Sequence, residues 1–169
     1  MGATVHAAAG RRRAIRSHAP GDRWFVDETY VKVAGVWRYV YRAVDQNGQV
    51  IDVFVSTKRD TAAATRFFTV AIAVHGEPSE VTTDKSPVLA KTIRALVPGA
   101  HHDTTQYANN CVENDHGRLK ARLRPMRGLQ TDRTASVIIR GHAFMQNPRR
   151  GHYELGIEAE VFDPYEDPY

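Results

Sequence analysis

Three acidic residues stand at positions where a carboxylate can do chemistry: Asp27 inside a run of β-branched and aromatic residues, Asp84 at the end of a short extended piece, and Glu113 near the start of a helix. A carboxylate in a strand that otherwise belongs in a core is costly unless it is paired, hydrogen-bonded or bound to a metal. Strands carrying Asp27 and Asp84 can lie side by side and share one cation, and a helix packed across that edge can add Glu113. Oxygen-only ligands suit Mg²⁺ or Mn²⁺, which keep waters and bind substrate phosphates. Two such ions about 3.5–4 Å apart clamp the attacking and leaving oxygens of a phosphodiester. The chemistry implied is phosphoryl transfer.

The elements that must position these acids are legible around them. From Arg23 to Ser56 the chain reads as three strands in a meander, with Val, Ile, Thr and aromatic residues separated by Ala34-Gly35 and by Gln46-Asn47-Gly48. The Asn-Gly pair suits a type I′ turn. Asp27 shares a face with Thr29, and Glu28 points to the other. Asp60 is a fitting N-cap for a helix over Thr61–His75, with Ala63, Phe67, Val70, Ala71 and Val74 as its apolar stripe and Gly76 and Pro78 as its stop. Residues 80–83 form a short strand ending at Asp84. A helix over Pro87–Leu96 follows, then a weak extended piece at 100–103.

A helix from about Asn110 to Arg124, capped by Asn109 or Asn110, buries Val112, His116, Leu119 and Leu123. Glu113 and Lys120 lie along an adjoining stripe, because seven residues are close to two turns. Arg118, Lys120, Arg122, Arg124 and Arg127 make its far end strongly basic. A last helix from Asp132 to Asn147 buries Ala135, Ile138, Ile139, His142 and Met145 and ends before Pro148. The order βββ-α-β-α-(β)-α-α is that of an α/β fold, a mixed sheet flanked by helices, in the ribonuclease H-like layout.

The 169 residues fit one well-buried domain. Residues 1–22, with Arg11-Arg12-Arg13, read as a disordered tail, 23–150 as the catalytic domain, and 151–169 as an acidic disordered tail. Net charge is +4, but residues 157–169 carry five acids and no Lys or Arg, which leaves 23 basic against 14 acidic residues elsewhere. A basic body suits a nucleic-acid partner, although a solvated charged surface has the same composition. A single cysteine, Cys111, excludes an intramolecular disulfide. No run is long and apolar enough for a membrane span or signal peptide, so the expected location is cytoplasmic.

Other residues have both structural and functional readings. His116 is a candidate contact to substrate or to a metal-bound water, and also a candidate half-buried histidine satisfied inside the fold. His101-His102-Asp103 can mimic a transition-metal site but lacks a second cluster at ligand spacing. Trp24, Trp37 and the tyrosines of the second strand can stack on bases, with core packing the favoured reading.

The segments VDETYVKVAGVWRYVYRAVD, TDKS and QYANNCVENDHGRLKAR, continued by PMRGLQTDRTA, together resemble DDE-class transposases of bacterial and archaeal insertion sequences, most closely the insertion-sequence family numbered six. The resemblance runs from about Gly21 to Gly151. It implies that Asp27, Asp84 and Glu113 are the DDE residues and hold Mg²⁺ or Mn²⁺. It further implies cleavage at element ends by activated water, followed by attack of the freed 3′-hydroxyl on target DNA. Lys120 matches the basic residue that such enzymes place one helical stripe along, on a phosphate near the scissile position. Arg118, Arg122, Arg124 and His116 are further candidate DNA contacts. A homodimer or higher oligomer on DNA is the expected assembly.

The family also carries a helix-turn-helix segment before the catalytic domain, and it usually places more than the 28 residues found here between the second and third acids. The chain therefore reads as a shortened copy. Two further functions are consistent with the same residues, a non-catalytic DNA-binding or oligomerising remnant and a stand-alone metal-dependent nuclease.

Overall fold

The computed structural model describes residues 14–17, 19–105, 110–124 and 128–156. Arg11-Arg12-Arg13, Asn109, Arg127, the side chain of Cys111 and the acidic stretch 157–169 lie outside the described residues.

The meander forms as expected. β2 (Arg23–Val33) pairs antiparallel with β3 (Val36–Asp45), and β3 pairs antiparallel with β4 (Val50–Ser56). A short strand β5 (Glu80–Thr82) then joins β2 in parallel, and β6 (His101–Asp103) joins β5 in parallel, giving the order β4-β3-β2-β5-β6. Parallel neighbours need crossovers. These are α1 (Thr61–His75) between β4 and β5, and α2 (Pro87–Leu96) between β5 and β6. The expected Asp60 cap is present, its carboxylate accepting from the Ala63 N–H at 2.8 Å.

Each face of the sheet has its own core. On one face Trp24, Val26 and Tyr41 pack with Phe67 and Phe68 of α1 and Leu89 of α2. On the other, Val31, Val40 and Val44 pack with Val112 and Leu119 of α3 (Asn110–Leu123) and Ile139 of α4 (Asp132–Arg149). Alternate residues of β2 therefore point to different helix layers, and both layers are covered.

Several expectations need correction. The buried side of α1 is Ala63, Ala64, Phe67, Phe68 and Ala71, whereas Val70 and Val74 are exposed. Ten of the fifteen residues of this helix are apolar, so two stripes fit the spacing and Phe68 decides between them. Met145 of α4 is exposed, and α4 continues through Pro148. The proline costs one ladder bond, and the last turn is held by the Arg150 N–H donating to Gln146 and Asn147 carbonyls. Asn147 is buried, and its amide exchanges two bonds with the Val50 backbone, at 2.7 and 2.9 Å, fastening α4 to the edge strand β4.

The type I′ turn is not at Asn-Gly. Val33 and Val36 pair directly, and the two intervening residues both have positive φ, Ala34 at 48° and Gly35 at 79°. At the second hairpin only Gly48 does, at 78°, because buried Asp45 organises a longer loop by accepting from the N–H groups of Gly21, Asn47 and Gln49. The stretches expected to be tails contain a further element: β1 (Ala14–Ser17) pairs antiparallel with β7 (Tyr153–Gly156) as a separate two-stranded ribbon. Trp24 is core, with its indole N–H on the Gly21 carbonyl, but Trp37 is not.

Candidate active site

The parallel pairing of β2 with β5 brings the first two acids together. Phe25 stands opposite Thr82, so continuing that register two residues brings Asp27 level with Asp84, just beyond the end of β5. Asp84 is exposed, and its Oδ1 accepts from the Ser86 N–H at 3.0 Å, which fixes the carboxylate at the turn into α2. Asp27 lies on the face covered by α3 and α4, as does Phe25. Glu113 is exposed in the first turn of α3.

Asp27 is strongly perturbed. Burial raises its carboxyl from 3.8 to about 7, opposed by the Glu28 N–H that donates to Oδ1 at 2.8 Å and reinforced by the negative charges of Asp84, Glu28 and Glu113. The three expected acids thus share one electrostatic neighbourhood. Among the described residues, however, no three His, Cys, Asp or Glu side chains are drawn close enough to hold an ion between them. The donor set is all oxygen and its charges repel, which fits a hard divalent cation.

His116 is not on the basic surface. Its side chain is 7% exposed, with Nδ1 3.5 Å from Asp27 Oδ2, because one turn of helix carries it from the Glu113 stripe to the buried one. Arg118, Lys120 and Arg122 are exposed on α3, and Arg124, expected to end the helix, is exposed in the turn just beyond it. Lys120 Nζ lies 5.1 Å from the centre of the Tyr30 ring.

Three features beyond the expected residues define the surroundings. Arg42 is wholly buried and stands directly opposite Asp27 in the β2–β3 register, which puts a guanidinium and a carboxylate on one face of the sheet. An arginine set between Tyr41 and Ala43, inside a run of strand residues, was the signal for it. On the opposite face, the carboxylate of Glu28 is bound by Arg59, whose guanidinium also feels the charge of Asp84. Tyr30 and Trp37 are exposed and meet edge to face with ring centres 4.9 Å apart. His101, His102 and Asp103 form β6; His102 Nε2 meets Thr83 Oγ1 at 2.8 Å, and Asp103 accepts from Thr105. These are structural bonds.

Comparison with known proteins agrees with this fold. A family model described as a DDE domain, of the IS240 transposase type, matches residues 21–152. The transposase for insertion sequence-like element IS431mec of Staphylococcus aureus strain Mu50 is 37% identical over 115 residues, covering 64% of this chain and 51% of the relative. The chain thus spans about half the length of the curated relatives it matches. Among solved structures, the catalytic core domain of BIV integrase is similar with a TM-score of 0.60 at 20% identity, covering 81% of this chain and 88% of that one. The HTLV-2 integrase catalytic core, determined in complex with magnesium in a trimeric form, gives a TM-score of 0.58 at 22% identity, covering 78% and 88%. At that identity the likeness establishes the ribonuclease H-like fold. With the family match over most of its length, this chain belongs to the DDE domain family of insertion-sequence transposases.

Proposed function

We propose that residues 23–150 form the catalytic domain of a DNA transposase, cutting phosphodiesters at insertion-sequence ends and joining the freed 3′-hydroxyl to target DNA. The observation that carries this reading is the parallel register that brings Asp27 level with Asp84, with the Asp27 carboxyl raised to about 7 by burial and by neighbouring charges that include those of Asp84 and Glu113. In this role Asp27, Asp84 and Glu113 would hold Mg²⁺ or Mn²⁺, which would supply water activation and charge neutralisation at the phosphate.

The remaining tasks fall to this chain's own side chains. The Glu28 N–H and His116 hold the Asp27 carboxylate in one orientation from its two oxygens. Ser86 does the same for Asp84 through its backbone. Two turns along α3 from Glu113, Lys120 reaches the phosphate next to the scissile one, and Arg118, Arg122 and Arg124 carry the flanking backbone. Assembly on DNA as a dimer or higher oligomer follows from the need to handle two element ends.

Incubating the whole chain, Mg²⁺ or Mn²⁺, a labelled oligonucleotide with a recessed 3′-hydroxyl end and a supercoiled plasmid tests the reading. Covalent transfer of label to the plasmid is expected. Nicking without transfer would support a nuclease instead, and DNA binding with neither reaction a non-catalytic role.

A further inference from the structure

The exposed aromatic pair on the β2–β3 hairpin has no role in the chemistry above. Tyr30 is 55% exposed and Trp37 is 49% exposed, both on a strand pair whose other large apolar side chains are mostly buried. Each ring carries an ammonium group: Lys32 Nζ lies 4.8 Å from the Trp37 centroid, and Lys120 Nζ lies 5.1 Å from that of Tyr30. Lys32 and Trp37 are direct cross-strand partners, which fixes the first of these contacts by register.

The position relative to the carboxylates matters. Beyond Phe25, β2 has no β5 neighbour and is bridged again, by Leu129, only at Val33, so residues from Asp27 to Lys32 form an edge with no strand partner on that side among the described residues. At about 3.3 Å per residue, Tyr30 lies roughly 10 Å further along β2 than Asp27. Lys120 comes from α3, the helix that carries Glu113, and reaches the Tyr30 ring past this edge. One lysine therefore connects the acid cluster with the aromatic pair.

We infer that Tyr30 and Trp37, with Lys32 and Lys120, form a platform for single-stranded DNA, on which unpaired bases next to the cut strand stack while their phosphates meet the two ammonium groups. This rests on the reading of the domain as a DNA-processing one. Aromatic side chains bind bases through π faces that a duplex hides within its own stack, whereas basic residues alone bind either form. A second copy of the chain is the competing occupant of such a patch. It would bring two sets of lysines together, so like charges oppose it and a polyanion is favoured.

The test uses the whole chain. Trp37 is the exposed one of only two tryptophans, the other being buried Trp24, so tryptophan emission reports on the platform. Titration with oligo-dT should quench the emission to saturation. By fluorescence anisotropy, Trp37→Ala should weaken oligo-dT binding by about 10-fold or more, as expected for loss of one stacked base. Its affinity for a duplex of equal length should stay within about twofold of wild type, because the lysines remain. Trp37→Phe, which keeps a ring, should recover most of the loss.

Unchanged oligo-dT affinity in Trp37→Ala, or emission indifferent to saturating oligo-dT, would overturn the platform while leaving the transposase reading intact. Loss of a dimer in Trp37→Ala by light scattering, with DNA affinity unchanged, would assign the patch to self-association and also overturn it. Wild-type protein that binds neither DNA form would instead remove the functional reading on which the platform rests.

Discussion

Asp27 should destabilise the domain that it serves. Its carboxyl is raised to about 7 in the folded metal-free protein, against 3.8 for an unperturbed aspartate, so the folded state holds this proton more tightly than the unfolded state does. Below about pH 4 both states are protonated and the group is neutral in effect. As the pH rises from about 4 to about 7 the unfolded chain releases the proton first, and stability is lost; above about 7 the full penalty stands. Three pH units of difference correspond to about 4 kcal/mol. Since 16% of the side chain reaches solvent, screening reduces the realised penalty to roughly 2 kcal/mol. Asp27→Asn keeps the shape and removes the charge, so at pH 8 without metal it should raise Tm by roughly 4–8 °C for a chain of this size. The gain should vanish near pH 4, and added Mg²⁺ should stabilise wild type but not the variant. Thermal unfolding followed by circular dichroism at the two pH values measures this. Equal Tm for both proteins at pH 8 would refute the argument that burial and like charge strain Asp27.

Other expectations follow from the same structure. Asp84→Asn and Glu113→Gln should each abolish plasmid nicking with Tm changed little, since both side chains are exposed; surviving activity in either, read on an agarose gel, removes that ligand. Lys120→Ala should weaken DNA binding and lower by about 1 the salt slope of log K, leaving metal binding intact; an unchanged slope makes Lys120 a mere surface charge. Ala34→Asn should stabilise by up to about 1 kcal/mol in urea unfolding, because Ala34 sits at φ 48°, a region asparagine tolerates better. Asn147→Ala should cost about 2–3 kcal/mol in the same assay, since it leaves the Val50 N–H and carbonyl without their partner.

The meander, the two crossover helices and the position of Asp27 were readable because strand periodicity and β-branched composition agree over Arg23–Ser56. Asp84 was readable because the short strand before it must lie parallel to β2 once α1 intervenes. What escaped was set by tertiary choices. The α1 stripe is ambiguous in a helix with apolar residues around most of its circumference. Asn47-Gly48 has the stronger turn signal, yet Asp45 captured the loop and left the type I′ turn to Ala34-Gly35. His116 is equally spaced for surface and interior, and packing of α3 on β2 turned it toward Asp27. Tyr30 and Trp37 look like core residues by composition. They are exposed because the helix layer over Trp24, Val26 and Tyr41 does not cover their end of the hairpin.

The most direct test of the account is nicking of supercoiled plasmid by the intact chain in Mg²⁺ or Mn²⁺, alongside Asp27→Asn and an EDTA control. The account expects nicked circles from wild type alone, none with EDTA and none from the variant. Equal nicking by Asp27→Asn, or no nicking and no metal-induced stabilisation from a wild-type protein shown to be folded, would contradict a carboxylate-metal site built on Asp27.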